Sequence, residues 1–167
     1  EVRPWNETRL WRPLVCARHA RLHRGLQRPI LLVALVGRRR VVRVVAVARS
    51  WLGTPYHDQA SLRGVGCDCL GLARGVWREV IGPEPFPIPP YSRDWGETGP
   101  REFLAEGGRR MMIEVSPGEA GPGALVLFRM KPRAIAMHVG ILTGPGTFLH
   151  AYERLGVIEE PLTQPWR

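Results

Sequence analysis

Beyond residue 110 the apolar residues fall into short runs parted by glycine and proline: MMIEV, ALVLFRM, AIAMHVGILTG, TFLHAY and GVIEE. Runs of this length between turn formers predict antiparallel strands. The chain ahead of them keeps a different period. In VVRVVAVARSWLG, Val41, Val44, Val45, Ala48, Trp51 and Leu52 share one face at helical spacing, and Gly53 closes the stretch. Its β-branched content leaves a strand as the alternative, but the spacing favours a helix. TPYHDQASLRGVG then reads as a loop. A second stripe, Leu72, Ala73, Val76, Trp77, Val80 and Ile81, follows an N-cap at Asp68 and stops at Gly82. PEPFPIPP is too rich in proline for regular structure and predicts an extended surface connection, and a short helix is predicted near PREFLAEGG. Helices first and strands afterwards is the order of an α+β domain, with helices packed on one face of an antiparallel sheet.

One such domain suits 167 residues. Residues 1–40 stand apart from it. They hold ten Arg and two Glu, with no Met, Lys, Asp, Ser or Tyr, and no steady period outside PILLVALVG. That run with its basic flanks resembles the core of a signal peptide, but GRRR occupies the place of the small residues a cleavage site needs. It is also about half the roughly 20 residues of a membrane span. The expectation is a basic extension over 1–40, without function or serving as an anchoring arm, and a folded domain over 41–167. The formal charge of +9 lies almost wholly in the extension, because residues 41–167 carry only +1. A near-neutral domain does not predict direct nucleic-acid binding.

The chemistry centres on GVGCDCLGLARGVW. Three cysteines make no disulfide framework, and Cys67 and Cys69 are too close in sequence to bridge without strain. If Asp68 caps the helix, Cys69 is its first residue, beside free N–H groups and the positive end of the macrodipole. That position favours thiolate over thiol. A base could come from AIAMHVGIL, where strand alternation puts His138 between Ala136 and Gly140, small neighbours that leave room for a cleft. Ile135, Met137, Val139 and Ile141 take the other face as core. His150, twelve positions on in the next strand, could lie beside His138 and hold its orientation and tautomer. The plainer readings are a buried inert cysteine and two structural histidines. Zinc held by Cys67, Cys69, His138 and His150 is the rival, but a one-residue gap opening into a helix fits structural zinc poorly. Cys67 is expected to pack under the loop.

GTPY at 53–56, GCDCLGL at 66–72, PGALVLF at 122–128, HVGILTG at 138–144 and LHA at 149–151 occur in order. With these motifs, residues 41–165 resemble the NlpC-type cysteine peptidases of papain-like fold, most of all their phage-tail and gene-transfer-agent branch. The resemblance implies Cys69 as nucleophile, His138 as general base and His150 as the orienting residue. Tyr56 and Asp68 match residues on the substrate side, Asp68 helping to place the substrate amine. The implied reaction is hydrolysis of peptidoglycan stem peptides between D-γ-glutamate and the diamino acid that follows, with no metal or organic cofactor. The implied partners are peptidoglycan and the tail or baseplate proteins of a phage-like particle acting in the bacterial periplasm or cell wall. Two departures stand out: Leu70 where the family usually has Ser, and Ala124 where it usually has an acid. The alternatives are a structural tail-tip or baseplate subunit with vestigial activity, and an amidase or acyltransferase on the same fold.

Overall fold

The structure is a computed structural model and describes residues 30–33, 38–91, 101–130 and 134–163. Each of the five apolar runs supplies one strand: β4 (Ile113–Val115), β5 (Leu125–Phe128), β6 (His138–Gly144), β7 (Thr147–Tyr152) and β8 (Gly156–Pro161). Among the described residues, six strands form one antiparallel sheet in the order β4-β1-β5-β6-β7-β8. The remaining strand, β1 (Ile30–Val33), comes from PILLVALVG and lies inside the stretch set apart as an extension. It pairs with both β4 and β5, and Ile30, Leu31 and Leu32 are all buried. Leu31 faces one core while Ile30 and Leu32 face another, so both faces of the strand are covered. A strand buried on both faces reads as a continuous apolar run and carries no alternation. The domain therefore takes in residues before the expected boundary at 41, and residues 1–29 lie outside the described residues.

Helix α1 (Arg38–Arg49) forms where helical spacing predicts it, and α2 (Cys69–Val80) carries the second stripe. Both pack on the same side of β6, and α2 also covers β7. Ala48, Trp51, Leu72, Val76 and Val80 meet Ile141, Leu149, Ala151 and Val157 in the core between them. Leu52, expected on this face, is exposed, because α1 ends at Arg49 and the chain turns before reaching it. A short helix, α3 (Phe103–Arg109), lies against β1. The sheet's other side holds a second core of Leu31, Val126, Phe128, Leu142 and Phe148, covered by Val115, Ala120 and Leu162. Within the predicted loop, β2 (Ser61–Leu62) and β3 (Gly66–Cys67) make a small hairpin. The proline-rich connection is irregular, as expected, and is tied to α2 by Glu84, which pairs with Arg74 at 2.8 Å and with Arg78. None of the described helices is long and apolar enough to cross a membrane.

Candidate active site

The start of α2 is held from three directions through one carboxylate. Asp68 caps the helix, its Oδ1 accepting the Gly71 N–H at 2.6 Å. Its Oδ2 accepts the Gln59 N–H at 2.7 Å and the Tyr91 hydroxyl at 2.6 Å. The loop passes so close that a Cβ on Gly71 would lie 1.8 Å from the Ala60 carbonyl oxygen, which makes glycine obligatory there. The Ser61 hydroxyl also donates to the Gly71 carbonyl. Asp68 is 4% exposed and bonded to this chain through both oxygens, so its visible work is to fix the position of the next residue, Cys69.

Cys69 is the first residue of α2 and packs among Leu127, Ala136 and Val139. The Val139 backbone N–H donates to its sulfur, which places the thiol one residue along the strand from His138. His138 begins β6, so it is the residue next along the strand to the Val139 N–H that faces the sulfur. The resting protonation differs from the sequence expectation. Burial pushes the Cys69 thiol up to about 12, and the Asp68 charge adds to this. The N–H groups of Val139, Leu70 and Cys69 itself pull the other way without overcoming it. The helix start supplies the donors a thiolate needs, but apolar surroundings hold the proton on.

His138 Nε2 lies 2.7 Å from His150 Nδ1, the pairing expected of neighbouring antiparallel strands. The rings meet edge to face with centroids 5.0 Å apart. The room over Gly140 is not a cleft: a Cβ there would lie 2.6 Å from the Phe148 ring, which fills that space and lies 4.6 Å from the His150 ring, centroid to centroid. The missing side chain admits Phe148, which packs the orienting histidine. Val139 and Ile141 do face the helix-side core, as alternation predicts.

Tyr56 bridges to Cys67 and is half-buried near the thiol. Burial, then the Cys69 charge, raises its hydroxyl. Cys67 is fully buried in the core beneath the loop, its own thiol pushed up to about 12 by burial. The four residues weighed as zinc ligands do not converge, since Cys67 points into that core while the histidines bond each other. Three residues beyond the sequence reading support the site. Tyr91 reaches Asp68 from the proline-rich connection, and Glu102 accepts the Ala136 N–H at 2.9 Å two residues before His138. Glu160 on β8 lies 2.9 Å from His150 Nε2.

The histidine pair makes the fold acid-sensitive. Burial, then the neighbouring His150, lowers His138 from 6.5 to about 3, and burial also lowers His150 against the pull of Glu160. A depressed folded value means the unfolded chain binds the extra proton first. Stability from His138 is therefore complete above 6.5 and is lost as pH falls toward 3. Each such proton steepens the fall by about 1.4 kcal/mol per pH unit. Urea titrations between pH 6.5 and 5, where few carboxylates titrate, should show His138→Gln with a shallower slope than the parent. Equal slopes would refute the assignment.

An antiparallel sheet with helices packed on one side, Cys69 at a helix start and the paired histidines on the sheet define an α+β domain of papain-like type. Residues 53–167 match the NlpC/P60 family, and the chain belongs to it. It is 29% identical to the murein DD-endopeptidase MepS/murein LD-carboxypeptidase of Escherichia coli K12 over 124 residues, 74% of this chain and 56% of that protein. The chain thus spans little more than half the length of the curated relatives it matches. The crystal structure of the NlpC/p60 domain of the peptidoglycan hydrolase SagA superimposes with a TM-score of 0.51 at 26% identity, covering 73% of this chain and 89% of that one. A lipoprotein-like NLP/P60 protein of Staphylococcus aureus Mu50 shares the fold, with a TM-score of 0.50 at 21% identity over 77% of this chain and 38% of its own.

Proposed function

We propose that the protein is a cysteine peptidase that hydrolyses peptidoglycan stem peptides between D-γ-glutamate and the following diamino acid. The observation that carries this is the Cys69 sulfur held against Val139, next to a His138 whose Nε2 is engaged by His150. The relatives named as murein endopeptidase and peptidoglycan hydrolase support the substrate class.

In the proposed cycle His138 takes the thiol proton as the Cys69 sulfur attacks the amide carbon. The N–H groups at the start of α2 face the developing oxyanion. Collapse breaks the carbon–nitrogen bond, and the His138 imidazolium gives its proton to the departing amine. Water then loses a proton to His138 and attacks the thioester, and the sulfur leaves and recovers that proton. Thiol and imidazole both rest neutral, so the proton passes from sulfur to His138 in the step that forms the carbon–sulfur bond. The half-buried Tyr56, near the thiol, is the residue placed to meet substrate, while Asp68 holds Cys69 in position from behind the helix cap.

The finer reading places the enzyme in the tail or baseplate of a phage-like particle, opening the wall locally. It is supported by the branch-type GCDCLGL motif, with Leu70 after the nucleophile. Mass spectrometry of defined stem peptides and purified sacculi incubated with the full chain tests the chemistry. The expected products are an N-terminal dipeptide ending in D-glutamate and a fragment beginning with the diamino acid. No cut, or a cut only in the glycan, would overturn it. Co-sedimentation with phage-like particles tests the location, and recovery only in the particle-free fraction would leave a free wall hydrolase.

A further inference from the structure

His150 is wholly buried in β7 with both ring nitrogens engaged, Nδ1 to His138 Nε2 at 2.7 Å and Nε2 to Glu160 Oε1 at 2.9 Å. Glu160 reaches it along the face of the sheet: Phe148 pairs with Glu160 and His150 with Ile158, so the carboxylate comes from the diagonal position. Its neighbour Glu159 points the other way, to Arg49 at 2.8 Å. The packing of His150 against Phe148 and Tyr152, with centroids 4.6 and 5.6 Å away, fixes the ring plane.

Proton counting gives this chain of contacts a direction. A neutral imidazole has one N–H and one bare nitrogen, and a carboxylate only accepts. His150 must therefore carry its hydrogen on Nε2, pointing at Glu160, which leaves its Nδ1 as an acceptor. That acceptor requires the hydrogen on Nε2 of His138, so His138 Nδ1 is bare. We propose that Glu160 is a positioning residue that sets the tautomers of both histidines and makes Nδ1 the basic nitrogen of His138. The arrangement serves both stages of the cycle. When His138 takes a proton on Nδ1, its Nε2–H still donates to His150, and no other hydrogen in the chain has to move. The consequence for rate rests on the peptidase reading above, whereas the tautomer rests on the geometry alone.

Glu160→Lys is the discriminating substitution. Its ammonium can only donate, so it removes the acceptor for His150 Nε2–H and favours the reversed bonds, which put the hydrogen of His138 on Nδ1, where it can no longer accept from the thiol. Nitrogen-15 NMR of the imidazole rings at neutral pH should show a bare Nδ1 on His138 in the parent chain. In Glu160→Lys that signal should move toward the protonated form, and kcat should fall by about 100-fold with KM little changed. Glu160→Asp, which keeps an acceptor-only group, should retain the parent tautomer and most of the rate. The proposal is overturned if the parent carries its hydrogen on His138 Nδ1, if Glu160→Lys keeps the parent spectrum, or if Glu160→Asp shifts it as far as Lys does. Failure of the parent to cut any stem peptide would sink the peptidase reading instead, and the spectra would still decide the role of Glu160.

Discussion

Replacing Cys69 with Ala is expected to lower cleavage of stem peptides by about 10⁴-fold or more without unfolding the protein. The substitution removes one sulfur from a partly exposed position and leaves the cap of α2 intact, because Asp68 bonds backbone groups and Tyr91 rather than the thiol. What disappears is the atom that forms the acyl bond. Oxyanion donors and substrate contacts alone cannot replace it. Cys67 is the matched control, a buried thiol in the core beneath the loop. Cys67→Ala should cost about 1–2 kcal/mol of stability through the space it leaves, with kcat near the parent's. Rates on a defined stem peptide, with melting curves for all three proteins, check both statements. A Cys69→Ala protein that cuts at the parent rate would remove this residue from the chemistry.

Starting the chain at residue 41 is expected to prevent native folding. The truncation removes β1, and with it the burial of Ile30, Leu31 and Leu32 on two faces. Those three side chains together stabilise the fold by about 5–9 kcal/mol, close to the whole stability of an ordinary domain. Losses beyond the core follow from the strand order. Among the described residues β4 is joined to the sheet only through β1, and β5 would be left with an unpaired apolar edge. Such an edge invites pairing with other chains. The 41–167 protein should aggregate or melt without a cooperative transition, whereas the full chain should show one. If both melt alike, β1 contributes nothing to the fold.

The two halves of the molecule were unequally legible in the sequence. Glycine and proline mark the five runs that become β4 to β8, and Asp68 announces the helix it caps. His138 and His150 could be paired because one short turn joins their strands. β1 was missed for a physical reason: a strand covered on both sides has no polar face, so it cannot be told by pattern from a leader segment. Glu160 depends on the register of β8 against β7, and Tyr91 on the path of a connection with no period. One clue to Glu160 was available, since adjacent acids on a strand must point to opposite faces and only one of them can serve Arg49. The thiolate expectation weighed the helix start alone, and the apolar packing around Cys69 outweighs it.

The order of the strands also has a consequence in time. β5 to β8 follow one another along the chain and pair with their nearest neighbours, so they close short loops and can zip up early. Both histidines and Glu160 belong to this early-forming ribbon. β1 must instead find β4 and β5 across more than half the chain, as the pairing of Leu31 with Val115 shows. Closing so long a loop is the slower event. A refolding chain would therefore assemble its histidine pair while the gap between β4 and β5 still stands open. In that interval the β1 segment of a neighbouring molecule could enter in place of its own.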